Sequence, residues 1–237
     1  MSTVGDRPTV TVLVLSYNRP RMLRECLESI KGADEVFILD DGSDFCLNEV
    51  AQPFFDRWPR LVMRQSRGIT VEERLVTARV GRSINQAIKD ASGDGIAYLC
   101  DDDLFHPDWI ENIRIHLLAA PAKPHFIYAQ WNVFKDGEKP GDRACNLSPF
   151  EMTTGNFAHR RDCPARCDLW WSETSVACHD GFFVFWLQDK HPKWEVPQPP
   201  GVVAGWRRDH PLNMVHFSNN QAYTEKAREV LSRGFLE

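Results

Sequence analysis

The sequence predicts an α/β fold, in which a doubly wound, mostly parallel sheet is covered by helices. Two runs of β-branched and other apolar residues, Val10 to Ser16 and Glu35 to Leu39, are typical of fully buried parallel strands. A third apolar run, Gly95 to Cys100, follows a segment with helical spacing. Because strands that alternate with helices form right-handed βαβ units, these three observations together indicate a parallel sheet.

The first predicted helix follows the first strand. Tyr17 to Pro20 breaks the strand, and Gly32 ends the helix. Apolar residues recur between these points at helical spacing, which is typical of a helix that packs on a sheet. They are Met22, Leu23, Cys26, Leu27 and Ile30.

Three further elements complete the first half of the chain. Leu61 to Arg64 predicts a short third strand. Thr77 to Ala91 predicts a helix, and its apolar face consists of Ile84, Ala87 and Ile88. After the strand that ends at Cys100, Pro107 and the amphipathic stretch behind it predict another helix start.

The second half of the chain has a different composition. Phe126 to Phe134 predicts one strand, and Thr224 to Arg233 predicts a closing amphipathic helix. The region between them is rich in Trp, Phe, His and Cys, and prolines from Pro192 to Pro200 favour an extended or looped chain. We therefore divide one compact unit into two lobes, residues 1–120 and residues 121–237.

Composition and charge restrict the class of protein. A chain of 237 residues that is 43% hydrophobic and 26% charged suits one globular domain of α/β size. The net charge of -5 argues against a general affinity for nucleic acid or anionic membranes. No stretch approaches the roughly 20 apolar residues of a membrane span, and Met1 to Pro8 lacks the features of a secretory signal. Seven scattered cysteines then predict reduced thiols in a cytoplasmic setting.

Polar side chains follow the carboxyl ends of the predicted strands, where parallel α/β sheets bind ligands. The strongest signal is Asp101 to Asp103, because three adjacent carboxylates repel one another unless a cation or hydrogen bonds offset the repulsion. Mg2+ and Mn2+ take oxygen ligands and bridge to substrate phosphates. Taken alone, the triplet is explained equally well as a solvated acidic turn that caps the next helix. The other polar residues at strand ends are Asn18, Asp40 and Asp41.

The motifs, taken in order, resemble those of the family 2 glycosyltransferases, which have the GT-A fold. The resemblance runs from Val10 to Asn213 and is looser through His179-Asp180 and Arg208 to Asn213. It implies a Rossmann-like nucleotide-binding half and a smaller acceptor-binding lobe. It also implies a hexosyltransferase-type enzyme that needs a metal ion and moves a sugar, with inversion, from a nucleotide-diphosphate donor to an acceptor hydroxyl. The closest matching segments are Val12 to Arg19, Phe37 to Ser43, Ala78 to Ser83, Tyr98 to Asp103 and His106 to Asp108.

The resemblance implies a role for each matching residue. Asp180 falls on the catalytic base, and Asp40 or Asp41 falls on the residue that hydrogen-bonds the nucleobase. Mn2+ or Mg2+ is assigned to the DXD-motif region, with Asp102, Asp103 and His210 as ligands. The residues assigned to the donor are Ser16, Tyr17, Asn18, Arg19, Asp40, Asp41, Arg79, Arg82 and Asp101.

Two residues depart from the family pattern. Cys100 stands where many members have the first Asp of the DXD motif, and this leaves metal binding to Asp101, Asp102 and Asp103. His179 replaces the usual Glu before Asp180, which changes the surroundings of the base.

Three alternatives stay open at this point. A nucleotidyltransferase also binds a nucleotide and Mg2+, but Ser16 to Arg19 lacks the Gly-rich, Lys-bearing loop that cradles a triphosphate. A non-catalytic sugar-nucleotide or glycan-binding module would keep the fold without turnover, and Cys100 and His179 motivate it. A structural Zn2+ is the third alternative. Its candidate ligands are His159, Cys163, Cys167, Cys178 and His179.

The acceptor is the largest open question. A saccharide, a lipid carrier, a protein and a modified nucleic acid are all compatible with the aromatic and basic segment from His159 to Trp171. The acidic net charge gives a nucleic acid no support. The resemblance suggests a UDP-sugar donor and bacterial cell-surface polysaccharide synthesis, and the lack of membrane spans argues against a processive, polymer-extruding synthase.

Overall fold

The structure is a computed structural model that describes residues 7–67, 70, 79–119, 126–135, 140, 154–163, 171 and 202–209. Within these ranges the chain forms nine strands in two sheets, together with four α-helices and one short 3-10 helix. The first half alternates strands and helices, as the sequence predicts. Its strands are β1 (Val10–Ser16), β2 (Glu35–Asp40), β3 (Arg60–Gln65), β4 (Gly95–Cys100) and β5 (Leu104–Phe105). Its helices are α1 (Pro20–Ser29), α2 (Leu47–Ala51) with the 3-10 turn Gln52–Phe54, α3 (Arg79–Asp90) and α4 (Trp109–Ala119).

Four strands of the large sheet are parallel, which confirms the predicted α/β class. The sheet has the order β3-β2-β1-β4-β8-β6, and β1 lies between β2 and β4. Ser16 pairs with Asp40, and Leu15 pairs with Cys100. Because these registers align the ends of β1, β2 and β4, the carboxyl ends of the three strands lie side by side at one edge of the sheet.

The helices cover both faces of the sheet, so the sheet is doubly wound. Since strand side chains alternate between faces, Val12 and Val14 pack in one cluster with apolar residues of α1 and α4. Leu13 packs in the other cluster, with Ile84 and Ile88 of α3. α1 begins with Pro20, whose fixed φ suits the first turn of a helix.

The predicted strand from Phe126 to Phe134 is wrong, because the structure contains two strands there. β6 (Phe126–Tyr128) pairs with β8 (Phe157–Arg160) in the large sheet, whereas β7 (Gln130–Lys135) joins a second sheet. Ala129 lies where the chain leaves one sheet for the other. Its amide donates to the carbonyl of Asn156, and the amide of Gln130 donates to the carbonyl of Val202. A continuous apolar run contains no signal of where the chain exchanges one pairing partner for another.

The second sheet has the order β5-β9-β7 and lies next to the acidic turn Asp101 to Asp103. β9 (Val203–Asp209) runs parallel to β7 and antiparallel to β5. Since β5 begins one residue after Asp103, the pairing of Leu104 with Trp206 brings β9 against the turn. The predicted helix at Thr224 to Arg233 and the predicted loop at Pro192 to Pro200 lie outside the described residues.

Two further observations concern membrane spans and thiols. In the part of the chain that the structure describes, no helix is both long enough and apolar enough to cross a membrane. The longest described helix, α3, has 12 residues. Cys26, Cys46, Cys100 and Cys163 are free thiols.

Replacement of Gly205 by alanine tests the contact between β5 and β9. A Cβ at this position would lie 2.0 Å from the carbonyl oxygen of Leu104 and 2.8 Å from the ring of Trp131. We expect Gly205→Ala to lower the free energy of unfolding by at least roughly 1–3 kcal/mol, the usual cost of overpacking, as measured by urea denaturation. Val203→Ala, a partly exposed position on the same strand, is the control and should cost less. An unchanged urea midpoint for Gly205→Ala would contradict the described pairing.

Candidate functional site

The acidic turn Asp101 to Asp103 begins where β4 ends. The Asp101 amide donates to the carbonyl of Leu15 at 2.9 Å, and the Asp103 amide donates to the carbonyl of Cys100 at 3.0 Å. These bonds continue the sheet into the turn, so its backbone is fixed by β1 and β4. Asp101 and Asp103 are only 2% and 6% exposed, and Asp102 is half-buried. The predicted strand-end carboxylates are therefore largely withdrawn from water.

Arg19 binds two of these carboxylates. Its Nη1 lies 2.7 Å from Oδ1 of Asp101 and 2.7 Å from Oδ2 of Asp102. The other oxygen of Asp101 accepts the Tyr17 amide at 2.8 Å. The family resemblance assigns Arg19, Tyr17 and Asp101 to the binding of the sugar donor. In the structure, Arg19 and Tyr17 also bind Asp101 inside the protein, where β1 and β4 end.

Burial dominates the electrostatics of the turn. It raises the pKa of Asp101 to about 7, against the opposing effect of the Arg19 guanidinium. Burial also raises the pKa of Asp103 well above its ordinary value, and the Asp102 carboxylate adds to this rise. For Arg19, burial disfavours the charged form, but the Asp101 and Asp102 carboxylates outweigh it and raise the pKa. The turn is thus a site where additional positive charge is stabilising.

Arg208 on β9 fixes the same turn from the second sheet. Its amide donates to Oδ1 of Asp103 at 3.1 Å, and its Nε donates to the carbonyl of Asp102 at 3.1 Å. Its Nη2 pairs with Glu25 of α1, and its guanidinium lies 4.8 Å from the ring centre of Phe134. The side chain is almost fully buried. Arg208 therefore connects α1, β7 and β9 to the backbone of the acidic turn.

The two carboxylates at the turn after β2, Asp40 and Asp41, have different roles. Asp40 is buried, and its oxygens accept the amides of Gly42 at 3.2 Å and Ser43 at 2.8 Å, together with the Ser43 hydroxyl. Gly42 has a φ of 83°, which a glycine adopts without strain. Asp41 is partly exposed and forms an ion pair with Arg79 at the start of α3. Asp40 thus shapes the turn, and Asp41 lies at its surface.

Asn18 joins the ends of β1 and β2. It has a φ of 50°, a left-handed conformation that asparagine tolerates better than most residues. Its amide donates to the Ser43 hydroxyl at 2.7 Å, and its side chain exchanges two hydrogen bonds with Asp44, at 2.7 and 3.0 Å. Asn18 therefore holds two loops together at the edge where the strands end.

The structure brings most of the predicted donor residues to one edge of the sheet. Ser16 is buried at the end of β1, while Arg82 is exposed on α3. The predicted base Asp180 and the predicted metal ligand His210 lie outside the described residues. Sequence reasoning missed the roles of Glu25 and Asp44. Glu25 had no detectable signal, because its partner Arg208 lies 183 positions away.

The acidic turn also contains a group of side chains suited to a metal ion. The Cys100 sulfur and carboxylate oxygens of Asp102 and Asp103 all lie within 4.8 Å of one another. The two carboxylates supply the oxygen ligands that Mg2+ and Mn2+ take, and the buried negative charge favours a cation. The residues present therefore fit a divalent cation. The sequence predicted Asp102 and Asp103 for this role, and the structure adds Cys100 beside them.

His159 has a different environment from that of a zinc ligand. Its Nδ1 lies 2.7 Å from the carbonyl oxygen of Arg160, which only accepts hydrogen bonds, so Nδ1 bears the proton. Its Nε2 then accepts the hydroxyl of Tyr98 at 2.6 Å. Because the protein uses both ring nitrogens, His159 serves as a buried polar bridge. Cys163 is buried in the neighbouring core cluster, and Cys167, Cys178 and His179 lie outside the described residues.

The chain was compared with known sequences. Residues 11–167 match the family described as glycosyl transferase family 2. The chain is 33% identical over 196 residues to protein CgeD of Bacillus subtilis (strain 168). The aligned region covers 76% of this chain and 45% of CgeD. It is 27% identical over 114 residues to the putative glycosyltransferase EpsH of the same organism, over 46% of this chain and 30% of EpsH. The chain therefore belongs to glycosyltransferase family 2, and it spans less than half the length of these two relatives.

Comparison with solved structures identifies the fold as GT-A. S. aureus TarS 1-349 in complex with UDP-GlcNAc has a TM-score of 0.64 and 13% identity, over 85% of this chain and 59% of TarS 1-349. Glucosyl-3-phosphoglycerate synthase from Mycobacterium tuberculosis, in complex with Mn2+, UDP and glucosyl-3-phosphoglycerate, has a TM-score of 0.54 and 17% identity. That match covers 96% of this chain and 80% of the synthase chain. The fold expected from the motifs is confirmed.

The buried His159 predicts a pH-dependent component of stability. Burial lowers the pKa of His159 to about 4 from an ordinary value of 6.5, so the unfolded chain binds its proton more readily. Stability is therefore fully present above pH 6.5 and falls by up to roughly 3 kcal/mol as the pH drops towards 4. His159→Gln, whose amide oxygen can still accept the Tyr98 hydroxyl, should show a shallower fall. Urea unfolding of both proteins across this range measures the two slopes, and equal slopes would contradict the assignment.

Proposed function

We propose that this chain transfers a sugar from a nucleotide-diphosphate donor to an acceptor hydroxyl, with a divalent cation at the acidic turn. The observation that supports this proposal is the alignment of the carboxyl ends of β1, β2 and β4. The ends of β1, β2 and β4 bring the Asp41–Arg79 pair and the acidic turn to one edge of a parallel sheet. In open α/β sheets, that edge is where ligands bind. Membership of glycosyltransferase family 2 supports a sugar donor as the ligand.

The nucleotide end of the donor is proposed to lie at the turn after β2. Of the two candidate carboxylates, the geometry favours Asp41, because the oxygens of Asp40 are engaged by their own turn. Asp41 can accept a hydrogen bond from a nucleobase N–H, and Arg79 beside it can donate to an oxygen. A UDP-sugar is the favoured donor, since the similar structures of TarS are complexes with UDP-GlcNAc or UDP and that of the synthase is a complex with UDP.

The diphosphate end of the donor is proposed to face the acidic turn. Asp102 and Asp103 would hold Mn2+ or Mg2+, with Cys100 adjacent and His210 as the further ligand implied by the family motif. When bound, the cation stabilises the negative charge that develops on the leaving diphosphate. The Mn2+ in the synthase complex supports manganese as the first ion to test.

The acceptor end of the reaction requires a base. An acceptor hydroxyl loses its proton as it attacks the sugar carbon, and a carboxylate within hydrogen-bond reach can take that proton. We assign this role to Asp180 on the family motif, with attack from the face opposite the diphosphate and inversion at the sugar carbon. A saccharide, a lipid carrier or a protein all present a suitable hydroxyl, so the acceptor is proposed only as a hydroxyl compound.

The donor proposal predicts metal-assisted nucleotide binding. We expect UDP, tested against GDP, dTDP and CDP, to raise the thermal unfolding temperature, and to raise it further with Mn2+, because a ligand of the native state stabilises it. Asp102→Asn should lose the Mn2+-dependent part of the shift and keep most of the remainder.

The matched control is Asp56→Asn, an exposed position that should behave as wild type. If none of the four nucleotides shifts the unfolding of a folded sample, with or without Mn2+, the donor proposal is wrong.

The base assignment predicts turnover that depends on Asp180. Asp180→Asn should reduce donor hydrolysis or sugar transfer by at least about 100-fold, the usual contribution of a general base, while UDP affinity stays near wild type. A coupled assay for UDP release measures turnover, and calorimetry measures affinity. A wild-type protein that binds UDP-sugar without turnover would instead be a binding module, and release of pyrophosphate would indicate nucleotidyl transfer.

A further inference from the structure

Arg19 has a role that its assignment to the donor does not explain. We propose that Arg19 is an internal counter-ion of the acidic turn: it holds Asp101 and Asp102 in position before the metal binds, and it weakens the binding of that metal. This inference rests on the proposed divalent cation at Asp102 and Asp103. Arg19 is a positioning residue, because it acts on that ion through the carboxylates of Asp101 and Asp102.

The contacts of Arg19 are those of a counter-ion. One nitrogen, Nη1, lies 2.7 Å from a carboxylate oxygen of Asp101 and 2.7 Å from one of Asp102. The side chain of Arg19 is 16% exposed, and those of Asp101 and Asp102 are 3% and 14% exposed. In such a partly dehydrated setting, charges at hydrogen-bond distance interact far more strongly than charges in water.

The backbone of Arg19 is fixed independently of its side chain. Arg19 precedes the first residue of α1, and its carbonyl accepts the Leu23 amide at 2.8 Å. Two residues earlier, the Tyr17 amide donates to Oδ2 of Asp101 at 2.8 Å. The end of β1 therefore delivers both a backbone donor and a guanidinium to the acidic turn, and the guanidinium is the part that neutralises charge.

A second arginine at the turn, Arg208, makes different contacts from those of Arg19. The guanidinium of Arg208 pairs with Glu25 and donates to the backbone carbonyl of Asp102, while its bond to the Asp103 carboxylate comes from the backbone amide. Arg208 thus fixes the course of the turn, and its guanidinium forms an ion pair with Glu25. Arg19 places its charge directly on the carboxylates.

Asp102 is shared between Arg19 and the proposed cation. Two positive charges close to one carboxylate repel each other, so Arg19 lowers the affinity of the site for a divalent ion. The same charge reduces the repulsion among the three carboxylates when no metal is bound. The protein therefore keeps its metal ligands ordered without metal, and the cost is a weaker metal site.

The test compares Mn2+ binding to the full chain without nucleotide, followed by the electron paramagnetic resonance signal of free Mn2+. Arg19→Met removes the charge and keeps an unbranched side chain, and we expect it to bind Mn2+ about tenfold more tightly than wild type. Arg19→Lys should stay close to wild type, because a single ammonium can replace the one nitrogen that contacts both carboxylates. Arg24→Met, on the exposed face of α1, loses the same charge and should leave the affinity unchanged.

Thermal unfolding gives a second readout that does not depend on activity. Without metal, Arg19→Met should unfold at a lower temperature than wild type, and saturating Mn2+ should raise its unfolding temperature by more than it raises that of wild type. If Arg19→Met does not fold, Arg19→Gln replaces it, because its uncharged amide still offers two N–H donors.

The outcomes separate this inference from the proposed function. If wild type binds Mn2+ and the folded, uncharged variant binds it no more tightly, the counter-ion role is overturned and the metal site stands. If neither protein binds Mn2+, the proposed Mn2+-dependent function and the counter-ion role fall together.

Discussion

The architecture of this site depends on the compensation of buried negative charge at the end of a parallel sheet. The register of β1 with β2 and β4 brings the Asp40 turn and the acidic turn to one edge, where packing withdraws them from water. Each buried carboxylate is offset by a specific donor: backbone amides for Asp40, Arg19 for Asp101, and the Arg208 amide for Asp103. A buried carboxylate without such partners would be protonated or would destabilise the fold.

The local pattern of the sequence was sufficient to predict the parallel half of the fold. Long apolar runs such as Val10 to Ser16, separated by segments of helical period, specify strands and helices through short-range rules. The division of Phe126 to Phe134 between two sheets was not predictable, because it depends on which distant strand pairs with each part. The short helix α2 was missed for a similar reason: its five residues are too few to show a period.

The candidate site was predictable in its residue types but not in its internal partners. The family motifs and the strand ends indicate Asp40 or Asp41, together with Asp101 and Asp102, as site residues. They did not show that Arg19 faces the carboxylates, because a strand-end arginine can equally face a ligand. The hydrogen bonds of His159 with Tyr98 and Arg160 were also invisible in the sequence, in which histidine and cysteine together suggested zinc.

The acidic turn is one of the places where the chain joins the two sheets. β4 of the large sheet leads into the turn, β5 of the small sheet leads out of it, and Arg208 bonds it from β9. A change in the course of β9 would therefore alter the carboxylates proposed to hold the metal. β9 also ends one residue before His210, the remaining metal ligand implied by the family motif. The strand that fixes the described ligands thus leads in sequence to that ligand, so the metal site and the second sheet are expected to be stable or unstable together.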